Sequence, residues 1–463
     1  MIRDTSVAPT SSTITWPSVG SVVAQSLAIF RGDGEKARTQ RDAVTAFGVR
    51  CGSAALLYLS QVVLARWMGS NQYGIYVFVW TCVLWLGGLA DLGLSVTSIR
   101  LIPHYRETGD FAHMRGLIRG SRLAALLVGT AIAAMGVAAL WLLKPLEDHY
   151  MLPAYIALGC LPLYALTQVQ DGLGKGFAWM GVSLVPPYIL RPTLLLLGMV
   201  TAHIAGLPME ATTAAGAAIV ATWGAGLFQT LLINRRLPDV VPPGERRYAF
   251  KAWILAALPL LVMTGSDLTL QSADVLIVSR YMTPTDVAIY FAASKTMALI
   301  MFVHYAVGSA VANRFAALGA RGDKEALRAF VREAVHWTFW PSLAAAILLL
   351  ALGLPLLWLF GPQFTQGYPV MLILVVGFLF RSSMGPAEFL LNMLGEHKIC
   401  AAVLFTTAVL NIALNLVLVP AFGLMGSATA TSTSLVAAAL MHYVVVGRRL
   451  EIDIAVWRNL RRR

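Results

Sequence analysis

The chain alternates between long apolar stretches and short polar breaks, and this rhythm runs from about residue 43 to residue 447. Twelve apolar stretches can be read, at 43–65, 74–96, 121–143, 152–170, 181–201, 213–233, 252–278, 288–312, 336–359, 369–394, 399–419 and 426–446. A helix of about 20 apolar residues crosses roughly 30 Å of hydrocarbon, and each stretch is near that length. The alternating ten-residue segments of a membrane β-barrel are absent, so the pattern predicts an all-α integral membrane protein.

One stretch occurs twice. LARWMGSNQYGIY, from Leu64 to Tyr76, is answered by VSRYMTPTDVAIY, from Val278 to Tyr290. Arg66, Met68, Ile75 and Tyr76 recur as Arg280, Met282, Ile289 and Tyr290 at a constant offset of 214 (280 − 66), and Arg100 recurs as Arg314 at the same spacing. A basic segment follows each copy, as expected of a duplicated membrane module. Six stretches per half is an even number, so both halves enter the membrane with the same orientation. They are expected to form two pseudo-symmetric six-helix lobes around a central cavity, related by an axis along the membrane normal. The organisation predicted is an N-terminal extension at 1–42, an N-lobe at 43–240, a linker at 241–251, a C-lobe at 252–447 and a basic tail at 448–463.

Composition agrees with this picture. Hydrophobic residues make up 58%, charged residues 13%, and mean hydropathy is +0.70, which excludes an ordinary soluble domain. The net charge of +12 changes the picture only through its placement. One side of the predicted topology collects 28 of the 35 lysines and arginines, while the other receives Arg66, Lys144 and Arg280 alone. Cationic loops stay on the side that is not translocated, so the basic side is expected to be cytoplasmic, with both termini inside. Topology thus accounts for the charge, and no nucleic-acid partner is expected. Trp67, Trp141, Tyr281 and Trp358 fall at the opposite ends of spans, as an interfacial aromatic belt would. The outer loops are too short for a catalytic domain, so the chain reads as a non-enzyme.

Cys51, Cys82, Cys160 and Cys400 stand singly in apolar runs, without the paired spacing of a disulfide or metal site. No phosphate-cradling glycine loop of the Walker type is present, so no metal and no cofactor are expected. Residues 1–20 have no long apolar core and do not read as a signal peptide. SVVAQSLAIF, residues 21–30, reads as a short interfacial helix.

The candidate chemistry lies in charges inside spans. Arg50, Arg191, Lys295 and Arg381 each cost about 2.5–3.5 kcal/mol at a helix centre unless they meet a partner, a wet cavity or a ligand. Asp91, Asp267, Asp274 and Glu388 lie in or near spans as well. Three readings follow: the charges pair as structural bridges, the cations line a hydrated passage for an anionic substrate, or they snorkel to lipid headgroups, which suits Arg191 and Arg381 least because they lie near mid-span. Arginine suits the second, because its planar fork binds phosphate oxygens in pairs. Asp267, Gln271 and Asp274 recur at i, i+4 and i+7 and therefore share one helical face, which is expected to point inward. Their partner is a cation, a proton or a sugar hydroxyl. Pro186, Pro187 and Pro192 surround Arg191 and predict a kink, harmless or functional. His304 and His336 read as ordinary polar helix residues, and the glycines of LGGLADLGLS as sites of close helix packing.

LARWMGSNQYGIY followed by GGLADLGLSVTSIR resembles the start of polysaccharide (Wzx-like) flippases of the multidrug/oligosaccharidyl-lipid/polysaccharide exporter superfamily. SADVLIVSRYMTPTDVAIYFAAS is similar to the central motif of that family, with Asp274 at its acid and Tyr290 at its tyrosine. LFGPQFTQGYPVMLIL, GPAEFLLNMLGEHK and LNIALNLVLVPAFGLMGSATATS are similar to its C-terminal hallmarks, so the resemblance covers residues 43 to about 453. The chain departs from it at Ala312-Asn313-Arg314, where many relatives carry proline, and in its long extension at 1–42. The resemblance implies alternating access and a substrate of undecaprenyl pyrophosphate carrying a short oligosaccharide, moved from the cytoplasmic to the periplasmic leaflet of a bacterial inner membrane. Its partners would then be the lipid-linked oligosaccharide and membrane lipids, with H+ or Na+, a polymerase and export proteins as further candidates. The rival readings are a drug/cation antiporter of the same superfamily, a membrane polymerase or ligase acting on the same lipid, and a passive scaffold.

Overall fold

The computed structural model describes residues 35–144 and 146–460, with side chains for 52–144 and 146–458. Among these residues every regular element is a helix. The extension before residue 35, including the expected interfacial helix at 21–30, lies outside the described residues. The chain from Ser53 onward forms one contact unit, and the lobes described below lie in it.

The N-terminal half contains α1 (Glu35–Leu89), α2 (Leu94–Glu107), α3 (Phe111–Leu143), α4 (Asp148–Leu158), α5 (Leu161–Gly176), α6 (Met180–Val185), α7 (Arg191–Ile204) and α8 (Ala211–Arg236). The C-terminal half contains α9 (Phe250–Tyr281), α10 (Pro284–Met297), α11 (Met301–Arg321), α12 (Lys324–Ala351), α13 (Gly353–Phe360), α14 (Tyr368–Ser383), α15 (Ala387–Met393), α16 (His397–Leu450) and α17 (Val456–Leu460). Among the described residues nine helical stretches are long and apolar enough to cross a membrane, or ten if the bent pair α4–α5 is one span. Two of them are double. Gly69 breaks α1 at φ +74° and ψ 165°, a region costly for any residue with a side chain, and Gly423 breaks α16. Counting each as two is consistent with the twelve spans expected.

The apolar surface is inside out relative to a soluble protein. The most apolar 18 residues of α3 have a mean hydropathy of 2.3, yet Leu127, Met135 and Trp141 on this helix are exposed, as a lipid-facing helix requires. Small residues let the buried faces approach closely, and α3 packs on α5, α7 on α8, α9 and α14 on α16, and α11 on α12. The two copies of the repeated stretch meet at the seam between halves. A Cβ on Gly74 would come within 1.7 Å of the Pro284 carbonyl oxygen, so only glycine fits there. Nearby, the Arg66 guanidinium donates to the Trp358 and Leu359 carbonyls at 2.5 and 2.7 Å, and Ser70 Oγ donates to Gln363. Trp85 Nε1 donates to Thr269 Oγ1 farther along the seam.

Several of the apolar stretches are broken helices. The fourth bends by 48° between α4 and α5, where Pro162 begins a new helix. The eighth tightens into a 3-10 turn at Ala298–Ile300, and the ninth splits between α12 and α13. The fifth contains a π turn at Pro186–Leu190, because Pro186 and Pro187 have no N–H to continue the α pattern, and the Arg191 N–H bonds back to the Pro186 carbonyl. The kink expected from these prolines is therefore a local unwinding just before Arg191. Beyond α16, Ile452, Ile454 and Ala455 are buried against the C-lobe with Phe315 and Phe330, so this part of the predicted tail is packed.

Candidate functional site

A concentration of polar groups within the C-lobe surrounds a cavity of about 270 Å³ between α9, α10, α11, α14 and α16. The i, i+4, i+7 spacing does its work here: Asp267, Gln271 and Asp274 all face the cavity from α9. Gln271 Nε2 donates to Asp267 Oδ2 at 2.7 Å. Lys295 faces it from α10, with its ammonium 5.3 Å from the Phe291 ring and no carboxylate within 4 Å among the described residues. Arg381 faces it from α14. Five of the eight candidate site residues therefore share one chamber.

Asp274 is buried and held on both oxygens. Tyr290 Oη donates to Oδ2 at 2.9 Å, and the Val275 backbone N–H to Oδ1. Tyr290 is the second-copy tyrosine of the repeat. At the same offset of 214, the first copy places Ser60 opposite Asp274 and Tyr76 opposite Tyr290, so the duplicated pair is charged in one lobe and neutral in the other. Asn411 Nδ2 donates to Thr431 Oγ1, Asn415 Nδ2 to the Asn411 carbonyl, and Ser427 Oγ to Asn415 Oδ1 at 2.7 Å. This network ties the two arms of α16 together behind the cavity. Sequence reasoning passed over these asparagines and hydroxyls, since none carries a charge; their recurrence on the buried face of an apolar run was the available signal.

A helix break builds the next feature. α14 ends at Ser383, Gly385 turns the chain at φ +63°, and α15 begins after Pro386. Arg381 thus lies in the last turn of one helix and Glu388 in the first turn of the next, each at the end whose dipole favours its charge. Their side chains bond at 2.5 Å, and each is less than one-fifth exposed. The lining itself carries two carboxylates and two cations, and because Glu388 neutralises Arg381, the net formal charge around the cavity is negative.

The remaining candidates lie elsewhere. Arg191 faces a second, smaller cavity of about 90 Å³ in the N-lobe, lined also by Ser60, Gln61, Tyr76 and Trp80. Its guanidinium lies 5.6 Å from the Trp80 ring centre and 5.2 Å from that of Tyr164, with no ion pair among the described residues. The cations are thus divided between two lobes. Asp91 makes only local bonds, accepting from the Gly93 N–H and from Ser95 Oγ where α1 gives way to α2. The turn it stabilises is sufficient reason for its burial, and it is not among the residues lining either cavity. Arg50 falls within α1, but its side chain lies outside the described residues. No cluster of three or more metal-ligating side chains occurs among the described residues.

A chain with these features has relatives. The sequence model described as polysaccharide biosynthesis protein matches residues 42–318. The chain belongs to the polysaccharide biosynthesis protein family. A second model, MatE, matches residues 259–417 and so covers most of the cavity-bearing lobe. Two relatives extend the family likeness over nearly the whole chain. A Shigella flexneri protein named as an O-antigen transporter is 23% identical over 396 residues, covering 82% of this chain and 90% of its own length. A Haloferax volcanii protein named as a low-salt glycan biosynthesis flippase is 20% identical over 410 residues, covering 87% and 82%. Among solved structures, an inward-facing multidrug resistance MATE family transporter of the MOP superfamily aligns with a TM-score of 0.74 at 15% identity, covering 86% of this chain and 94% of that one. An outward-facing structure of such a transporter aligns with a TM-score of 0.65 at 16% identity, covering 92% and 98%. The polysaccharide biosynthesis family member therefore has the MATE-like transporter fold.

Proposed function

We propose that this protein is a flippase that carries an undecaprenyl-pyrophosphate-linked oligosaccharide from the cytoplasmic to the periplasmic leaflet of a bacterial inner membrane by alternating access. The observation that carries the reading is the gathering of Lys295 and Arg381 on one polar cavity in a chain of the polysaccharide biosynthesis family. A sugar headgroup does not cross hydrocarbon unaided, because each buried hydroxyl without a partner costs several kcal/mol. A polar chamber supplies those partners while the lipid tail stays in the bilayer. Asp267, Gln271 and Asn411 offer acceptors and donors for hydroxyls, and Lys295 and Arg381 offer charge for the pyrophosphate. Arg191 in the N-lobe would meet the headgroup from the opposite side.

Energy need not come from a nucleotide. With the potential negative inside, outward movement of an anion gains about 2.3 kcal/mol per charge per 100 mV. Two uncompensated charges on the pyrophosphate gain roughly twice that. The basic loops support a cytoplasmic location for both termini, and the contacts of Arg66, Ser70 and Gly74 then close the outer end of the seam. Counter-transport of H+ or Na+ through Asp267 or Asp274 is a further part of the proposal, tested by collapsing the proton gradient with the potential held.

One observation favours a second reading, a drug/cation antiporter: Asp267 and Asp274 share the cavity with the cations. Deletion of the gene followed by lipid analysis separates the two. The flippase reading expects accumulation of a complete lipid-linked repeat unit facing the cytoplasm. Unchanged lipid-linked sugars would overturn it, and loss of their synthesis would favour a transferase.

A further inference from the structure

Behind the main cavity lies a small chamber whose lining includes His304, Arg381, Glu388 and His442. Two histidines from different helices, α11 and α16, face one arginine–carboxylate pair. His304 is 1% exposed, and neither of its ring nitrogens has a hydrogen-bond partner among the described residues. His442 is 4% exposed, and its Nε2 is unpartnered likewise. Buried polar atoms without partners are rare, and here they belong to two histidines that line one chamber with a carboxylate. A neutral imidazole has one N–H donor and one bare nitrogen; a proton on the bare nitrogen makes it a second donor, which the carboxylate can accept.

We infer that His304 and His442 form a proton-binding site that competes with Arg381 for Glu388 and thereby sets how much of the Arg381 charge the main cavity presents. With both imidazoles neutral, Glu388 is bonded to Arg381, and the guanidinium is spent on its own carboxylate. A proton on His304 or His442 creates an imidazolium N–H that donates to Glu388. Like-charge repulsion then weakens the hold on Arg381, and its fork is released toward the cavity it already lines. The balance is one proton taken up and one charge-assisted hydrogen bond exchanged for another, with no covalent change. The charged or titratable groups around the site are His304 and Tyr305 on α11, Arg381 on α14, Glu388 on α15, Cys400 and His442 on α16, and Asp267 on α9. Glu388 is the carboxylate among the chamber-lining residues, which makes it the pivot. Reading the sequence alone left His304 an ordinary polar residue and passed over His442, because the two stand 138 positions apart (442 − 304).

The inference rests on the flippase reading for its consequence, so the test has two arms. The first needs no substrate: infrared difference spectra of the purified full-length protein between pH 8 and 5.5. An imidazolium ring signal is expected in the wild type and is expected to shrink stepwise in H304Q, H442Q and the double variant. Its absence from the wild type, or its survival in full in the double variant, overturns the site. The second arm measures binding of a short-chain prenyl-pyrophosphoryl glucose, a pyrophosphate diester whose charge is constant over this range. Binding about tenfold tighter at pH 5.5 than at pH 8 is expected in the wild type. The H304Q/H442Q variant is expected to bind at both pH values as the wild type does at pH 8. E388Q, whose amide cannot hold Arg381 as a carboxylate does, is expected to bind tightly at both. A wild type that binds equally at both pH values overturns the coupling to Arg381. A wild type that shows the imidazolium signal but binds the diester at neither pH supports the proton site and overturns the pyrophosphate reading instead.

Discussion

Removing the Arg381–Glu388 pair one side at a time, and then together, separates what the pair does for the fold from what it does for transport. The side chains bond at 2.5 Å, with exposures of 17% and 18%. R381L leaves Glu388 as an uncompensated buried charge, and E388L leaves Arg381 likewise; each is expected to cost about 3–5 kcal/mol. The double variant R381L/E388L leaves no charge behind. It replaces an ion pair with apolar groups, and such replacements range from neutral to stabilising by about 1–4 kcal/mol. The singles therefore sum to about 6–10 kcal/mol of loss, whereas the double should lie near zero, and the difference is the coupling between the residues. Denaturant unfolding in detergent, followed by tryptophan fluorescence, reads the stabilities. Flipping of a fluorescent lipid-linked sugar in reconstituted vesicles reads function. The expected result is a double variant as stable as wild type and inactive. A stable double variant that flips at the wild-type rate would refute Arg381 as a substrate contact, and singles losing under about 1 kcal/mol would refute the pair as a desolvated unit.

Other changes probe the remaining parts. Gly74→Val should drive side-chain atoms into the Pro284 carbonyl, which already lies 1.7 Å from where the Cβ would be, and the seam should open or the protein fail to accumulate; a well-expressed, active variant would contradict the described contact. Tyr290→Phe removes the hydroxyl donor to buried Asp274 and should cost about 1–3 kcal/mol, readable in the same unfolding assay. Arg191→Leu should cost about 2 kcal/mol or less in stability, since only ring contacts are lost, yet should abolish flipping if the N-lobe cavity meets the headgroup. Asp110, at the start of α3, accepts from the His113 backbone N–H and from its ring, which hold its carboxyl below the ordinary range. The sign follows: this contribution is present above the unfolded-state value near pH 4 and lost as pH falls through the lower folded one. D110A should therefore cost about 1 kcal/mol at pH 7 and less at pH 2, measured by unfolding at the two pH values.

A chain of many membrane-length helices was legible because hydrocarbon imposes a length on every crossing. The repeat was legible because its matches kept a constant offset. The shared face of Asp267, Gln271 and Asp274 followed from helical periodicity alone, and the cavity lies on that face. What the sequence hid were relations between helices. Nothing local tells Arg381 from Arg191, yet a helix break at Gly385 hands one a carboxylate, and a π turn after two prolines sets the other among aromatic rings. Asp91 looked like a companion to the cavity acids, but its side chain closes a turn two residues away. His304 and His442 were invisible as a pair, since only tertiary packing brings them to one chamber. Charge inside a span marks where to look; its partner is decided by breaks in helices, and these have weak signatures.

The grip of Arg66 on the Trp358 and Leu359 carbonyls carries a kinetic consequence. Both acceptors sit at the end of α13, where helix carbonyls are otherwise left without donors. Any motion that parts the halves at this rim must give up both bonds at once. They lie at the surface, so water replaces them, and a net value of about 1 kcal/mol apiece is reasonable. Two such bonds hold the parted form to roughly one molecule in thirty. A latch of that strength is loose enough to be lifted by a single well-placed ligand, and firm enough to keep an empty carrier from leaking.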